Sequence, residues 1–146
     1  MNADKMWQTF QEKNNIADSV KYDAWQFGAE PDELARLVLE GTKIATASAY
    51  PLYEIESEPL PEAGEYSIIL NSKDEAVCIV QVTKVFVVPF IEVDEHQAYQ
   101  EGEGDRSLQY WRKIHEELFK KWLEEAGLTF DINTKVVCEE FKVVFQ

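Results

Sequence analysis

Apolar residues recur along this chain at two spacings, and those spacings divide it into helices and strands. Three segments carry the three- and four-residue rhythm of a helix with one buried face. The first runs from about Asp4 to Asn14, with Met6, Trp7 and Phe10 inward and Asn14-Asn15 ending it. The second, Pro31 to Glu40, has Pro31 in its first turn, an apolar face of Leu34, Leu37 and Val38, and Gly41 for a left-handed stop. The third and longest spans Ser107 to Ala126, with a stripe of Leu108, Trp111, His115, Leu118, Phe119 and Trp122. Ser107 suits its N-cap and Gly127 its end, and Glu116–Lys120 and Glu117–Lys121 support its exposed side.

Other segments follow the two-residue rhythm or the β-rich composition of strands. Tyr66, Ile68 and Leu70 alternate, and Asn71-Ser72-Lys73-Asp74 supplies a hairpin turn. Ala76 to Val88 is rich in Val, Ile and Phe and long enough to bend round a barrel. Lys135 to Phe145 reads as a last strand, with Val137, Phe141, Val143 and Phe145 toward the buried layer, and Lys43 to Ser48 as a short one. Tyr22 to Gly28 is aromatic without clear period and reads first as a packed loop, second as an aromatic wall over a planar ligand. Pro51, Pro59 and Pro61 mark the acidic stretch from Tyr50 to Gly64 as surface loop. Helices and strands mixed in this order predict an α+β domain occupying residues 1–146, with no internal repeat or linker to divide it.

Composition narrows the function classes. At 146 residues and 45% hydrophobic, with eight Phe, six Tyr and four Trp, the chain can bury a core without staples. Cys78 and Cys138 lie in apolar stretches and read as reduced core thiols of a cytoplasmic protein. With His96 and His115 they match no zinc spacing, and no metal or other cofactor is expected. No apolar run approaches the roughly 20 residues that span a membrane. Against 28 Asp and Glu stand only 14 Lys and Arg, a formal net charge of −14. Strong nonspecific nucleic-acid binding needs clustered basic residues, so the expected partner is a small molecule or a single local RNA contact.

Two segments carry candidate chemistry. Gly41-Thr42-Lys43-Ile44-Ala45-Thr46-Ala47-Ser48 follows a helix directly and sets a lysine and hydroxyls in an otherwise apolar run. It is no phosphate loop, because the Gly directly before the lysine and the hydroxyl directly after it are missing. Near apolar walls Lys43 suits either of two roles, a base or a charge that polarises a carbonyl. Lys43 and Thr46 point to opposite faces of a regular strand, so they share a pocket only if the backbone from Gly41 to Ala45 is still turning. In Glu101-Gly102-Glu103-Gly104-Asp105-Arg106-Ser107, three carboxylates precede the long helix. They read first as partners of its dipole, second as acid–base groups beside Lys43, and last as a cation site. Trp111 and His115 read as core, and Arg106 and Arg112 as partners of the acidic loop.

These segments resemble the ASCH family, a branch of the PUA-like barrels. The likeness runs from about Trp25 to Phe145, on Gly41-x-Lys43-x-x-Thr46 and the strand order that follows. It also resembles a bacterial subgroup of roughly this length, in which Trp25-x-Phe27-Gly28, Glu101-Gly102-Glu103-Gly104-Asp105 and Trp111-Arg112-x-x-His115 recur. The resemblance implies a small, mostly antiparallel barrel decorated with helices, residues 1–24 being a helical extension. The family is associated with RNA and modified nucleosides. Some small bacterial members remove the acetyl group of N4-acetylcytidine with a Lys, a Thr and a Glu, which carry over onto Lys43, Thr46 and Glu101. That implies an amidohydrolase acting on an acylated pyrimidine nucleoside, the alternatives being an RNA-binding or ribonuclease module or a noncatalytic interaction domain. Trp25, Gly41, Ser48, Glu103, Asp105, Arg106, Trp111, Arg112 and His115 are the expected ligand-binding residues. This chain is longer than those enzymes and adds Gly-Glu-Gly-Asp after Glu101.

Overall fold

A computed structural model describes residues 1–146 as five helices and five strands. In chain order they are α1 (Ala3–Asn14), β1 (Tyr22–Gln26), α2 (Pro31–Leu39), β2 (Ala45–Ala49) and α3 (Tyr50–Glu56), then β3 (Tyr66–Leu70), β4 (Ala76–Pro89), α4 (Glu95–Glu101), α5 (Leu108–Glu125) and β5 (Lys135–Phe145). The strands form one sheet in the order β1-β3-β4-β5-β2. All neighbours run antiparallel except β1 and β3, which are parallel. β4 breaks register with β5 near Ile79 and again near Lys84, and such bulges increase bend and twist. The sheet curls enough that its two edge strands, β1 and β2, line the same cavity.

Both faces of the sheet are covered. Ile69, Cys78, Val80 and Phe141 pack with Leu34, Ala35 and Val38 of α2. Ile68, Leu70 and Ile79 pack instead with Met6, Trp7 and Phe10 of α1. Alternation at β3 is therefore real, but neither face meets solvent: Ile68 and Ile69 are equally buried. Trp111, Phe119 and Leu123 of α5 close the other end, over Ala49, Val136 and Cys138. The long-helix stripe differs at its C-terminal end, where Leu123 is buried and Trp122 and Leu118 face a cavity margin. Cys78 and Cys138 are free and buried, and burial pushes both thiols up to about 12. No helix is long and apolar enough to cross a membrane.

Three local readings are corrected. Tyr22–Gln26 is strand β1, not loop; its Trp and Tyr rings pack on both sides of a parallel pairing that single-strand periodicity does not reveal. Tyr50–Glu56 is helix α3, with Pro51 in its first turn, where proline needs no N–H. The residues before the Gly-rich acidic loop form α4, capped by Asp94, whose side chain accepts from Gln97 N–H. Glu101 is thus the last residue of a helix, and the loop to α5 is only Gly102 to Ser107.

Candidate functional site

The corner between α2 and β2 sets the site. Gly41 takes φ +81°, and the amides of Thr42 and Lys43 both donate to Leu37 O, so the helix end folds tightly back on itself. Ile44 N–H then donates to Gln100 O, tying the corner to α4, and the strand starts only at Ala45. The backbone is still turning at Lys43, and Lys43 and Thr46 consequently line one small inner cavity.

Lys43 is 1% exposed, and its ammonium is held on several sides. Nζ donates to Ala45 O at 2.8 Å and to Glu103 at 2.9 Å, with Glu101 O at 3.4 Å. The Glu101 carboxylate is 3.6 Å away, and the Phe27 ring centroid lies 5.3 Å away. Glu103 reaches the lysine because the loop is cramped by glycine. Gly102 has φ +71°, and a Cβ there would collide with the Thr42 carbonyl oxygen.

Glu101 is the hub. One carboxylate oxygen lies 3.6 Å from Lys43 Nζ and 3.4 Å from His115 Nε2. The other accepts from Gln97 Nε2 at 3.0 Å and from the Trp111 indole N–H. Burial would raise this carboxyl, but the charges of His115 and Lys43 and these hydrogen bonds hold it well below the usual carboxylate range. His115 Nδ1 sits 2.8 Å from Trp111 O, an acceptor, so that nitrogen carries hydrogen. Its Nε2 lies 3.4 Å from a Glu101 carboxylate oxygen, placed to form an ion pair with it when the ring is protonated. Burial works against that charge, but the Glu101 carboxylate and the Trp111 carbonyl outweigh it and raise His115. The ring also stacks on Trp111, centroids 4.1 Å apart at 15°. Lys43, Glu101 and His115 are therefore buried together, with the half-buried Glu103 closing the cluster beside the lysine.

Beyond Thr46 lies a larger, more open cavity of ≈ 640 Å³. Thr46, Ala47, Phe27, Gly28 and Trp122 line both volumes, so the two meet there. Trp25, Tyr53, Tyr66 and Trp122 contribute aromatic rings, and Ser48 Oγ lies 2.8 Å from Tyr53 Oη. Asp23, Glu58, Glu65 and Glu139 supply carboxylates, and no Lys, Arg or His lines the cavity. Burial, reinforced by Glu65, pushes the Glu139 carboxyl up to about 7. Periodicity and motif did not single out Glu139; its one sequence signal is an acidic residue inside an apolar strand. No group of three or more His, Cys, Asp or Glu side chains is arranged to hold a metal ion.

Not every expected residue joins the site. Asp105 is exposed and accepts from Ser107 N–H, which is the helix-start role. Arg106 and Arg112 do not pair with the acidic loop, because backbone carbonyls and an aromatic ring are closer. Arg106 donates to Tyr99 O and stacks 3.6 Å from the Tyr99 ring centroid. Arg112 donates to Ile91 O at 3.0 Å. Gly41 shapes the corner without lining either cavity.

The arrangement has close counterparts. A model of the ASCH domain matches residues 23–145. The chain belongs to the ASCH domain family. Among solved structures, an ASCH domain from Lactobacillus crispatus JV V101 is 30% identical, with TM-score 0.87 over 97% of this chain and 96% of that one. A protein from Enterococcus faecalis V583 is 36% identical, with TM-score 0.91 over 99% of this chain and 88% of that one. A hypothetical protein, PH0355, at 16% identity and TM-score 0.55, shares the fold. No curated protein matches the sequence at a significant level. The curled, mostly antiparallel sheet with its helices is the PUA-like ASCH fold expected from the sequence.

Proposed function

We propose that this ASCH protein is an amidohydrolase whose substrate is an acylated pyrimidine nucleoside, N4-acetylcytidine being the test compound. The observation that carries the reading is the meeting of two unlike cavities at Thr46. The outer one has room for a nucleoside and aromatic rings to cover a planar base. It has carboxylates and no basic residue, which opposes a phosphate chain and favours a free nucleoside over RNA. The inner one sets a buried ammonium beside the junction.

Lys43 is surrounded by acceptors and hydrogen-bonds to Ala45 and Glu103, not to the Thr46 hydroxyl. This supports a charged Lys43 that stabilises the developing oxyanion, over a neutral amine that deprotonates Thr46. Thr46 would position the attacking water or the acyl oxygen. Glu101 would hold Lys43 and His115 in place. Incubation with N4-acetylcytidine should release cytidine and acetate, and Lys43→Ala should lower kcat/KM at least about 100-fold. No turnover by the folded wild type would refute the substrate. Submicromolar, steeply salt-dependent binding of single-stranded RNA would promote the ribonuclease or RNA-adaptor reading instead.

A further inference from the structure

Amide hydrolysis needs a group that can take a proton and give it back, and the residue selected by motif is poorly suited to do so. Both oxygens of Glu101 are engaged, by Lys43, His115, Gln97 and Trp111, and its side chain is 2% exposed. A carboxylate among two cations and two N–H donors is a weak base.

Glu139 is its opposite in each respect. It stands on β5 directly across from Thr46 on β2. Its carboxyl lines the outer cavity, and neither a hydrogen bond nor a counter-charge holds it. The ionisable groups around that cavity are all of acid type: Asp23 from β1, Tyr53 from α3, Glu58 from the following loop, and Glu65 with Tyr66 at the start of β3. β2 and α5 present Thr46, Ser48 and Trp122, none of them charged. On β4, Lys84 lies toward Glu140, 3.8 Å away.

We propose that Glu139 is the catalytic residue that carries the proton in amide hydrolysis, a role that rests on the amidohydrolase reading above. Water attacks the acyl carbon as the Glu139 carboxylate takes one of its protons, forming the C–O bond. The resulting carboxylic acid returns that proton to the exocyclic amino nitrogen as the C–N bond breaks, giving a free acid and the unacylated nucleoside. A carboxyl that changes state near neutral pH is matched to both halves of this transfer.

The test is a pH–rate profile with N4-acetylcytidine, for wild type and for Glu139→Gln, Glu65→Gln and Glu101→Gln, each first shown to be folded by circular dichroism. In the wild type kcat/KM should rise through an apparent pKa near 7. Glu139→Gln should lower it about 100-fold or more and leave a residual rate without that limb. Glu65→Gln should move the limb to lower pH, because Glu65 helps to raise Glu139. Glu101→Gln should lower the rate yet keep the limb. If the wild type is active and Glu139→Gln stays within about threefold of it, Glu139 is not the proton carrier, and the amidohydrolase reading survives. An inactive wild type would overturn both.

Discussion

The two sides of Thr46 are built on opposite electrostatic plans. On the inner side every charge meets an opposite one: Lys43 against Glu101 and Glu103, His115 against Glu101. On the outer side four carboxylates share a cavity with no cation among its walls. A buried charge is tolerated where it is paired and hydrogen-bonded, and it shifts its protonation where it is not. The inner cluster is therefore a fixed piece of structure, low in chemical freedom. The outer wall keeps an unpaired carboxyl, whose protonation is free to respond to its surroundings.

If this contrast is right, the same kind of edit has opposite consequences on the two sides. The largest effect should come from Lys43→Ala, which leaves Glu101 buried with less compensation. A loss of about 3–5 kcal/mol in urea denaturation is expected. A loss under about 1 kcal/mol would mean that the inner cluster is not a mutually dependent unit.

Glu139→Gln should do the reverse. The folded-state carboxyl titrates near 7, above the roughly 4.3 of an unfolded glutamate. The folded protein thus binds more protons between those values, and its stability falls as pH rises through them. Removing the carboxylate should stabilise the protein by about 1–3 kcal/mol at pH 8, with the gain shrinking toward pH 4. A variant more stable and less active than wild type would fit a stability–activity trade-off at the outer wall. Equal stability at pH 8 would place Glu139 in a better-solvated setting.

A smaller effect sharpens the inner half. His115 is raised in the folded state, so its pairing contributes fully below its unfolded value of about 6.5 and is lost as pH rises through the folded one. Glu101 is lowered, and its contribution is lost only in acid. The stability difference between wild type and His115→Gln should narrow as pH rises above about 6.5. A difference independent of pH would show that His115 acts through packing on Trp111 alone.

Much of this architecture was legible because local rules and burial agree. The α2 stop at Gly41, the Ser107 cap and the β5 limits follow from residues within a few positions of one another. β1 was not legible, since its pairing with β3 joins segments some 40 residues apart and gives no single-strand rhythm. Within the site, the motif selected Lys43, Thr46 and Glu101, and the structure sets all three beside one inner cavity. Arg106 and Arg112 were misassigned because charge alone does not reveal which backbone carbonyls a folded chain offers.

The sequence by itself determined the α+β class, the limits of α1, α2 and α5 to within a residue, the turning glycine before Lys43 and the acidic surface. These depend on backbone sterics, side-chain period and charge count, which are properties of short segments or of the whole composition. Only the tertiary structure decided what the acidic residues are. Glu101, Asp105 and Glu139 look alike in the sequence, yet one is a buried hub, one a helix-start partner and one an unpaired cavity wall. A carboxyl's chemistry is set by the charges, donors and solvent around it, and residues distant in the chain supply those.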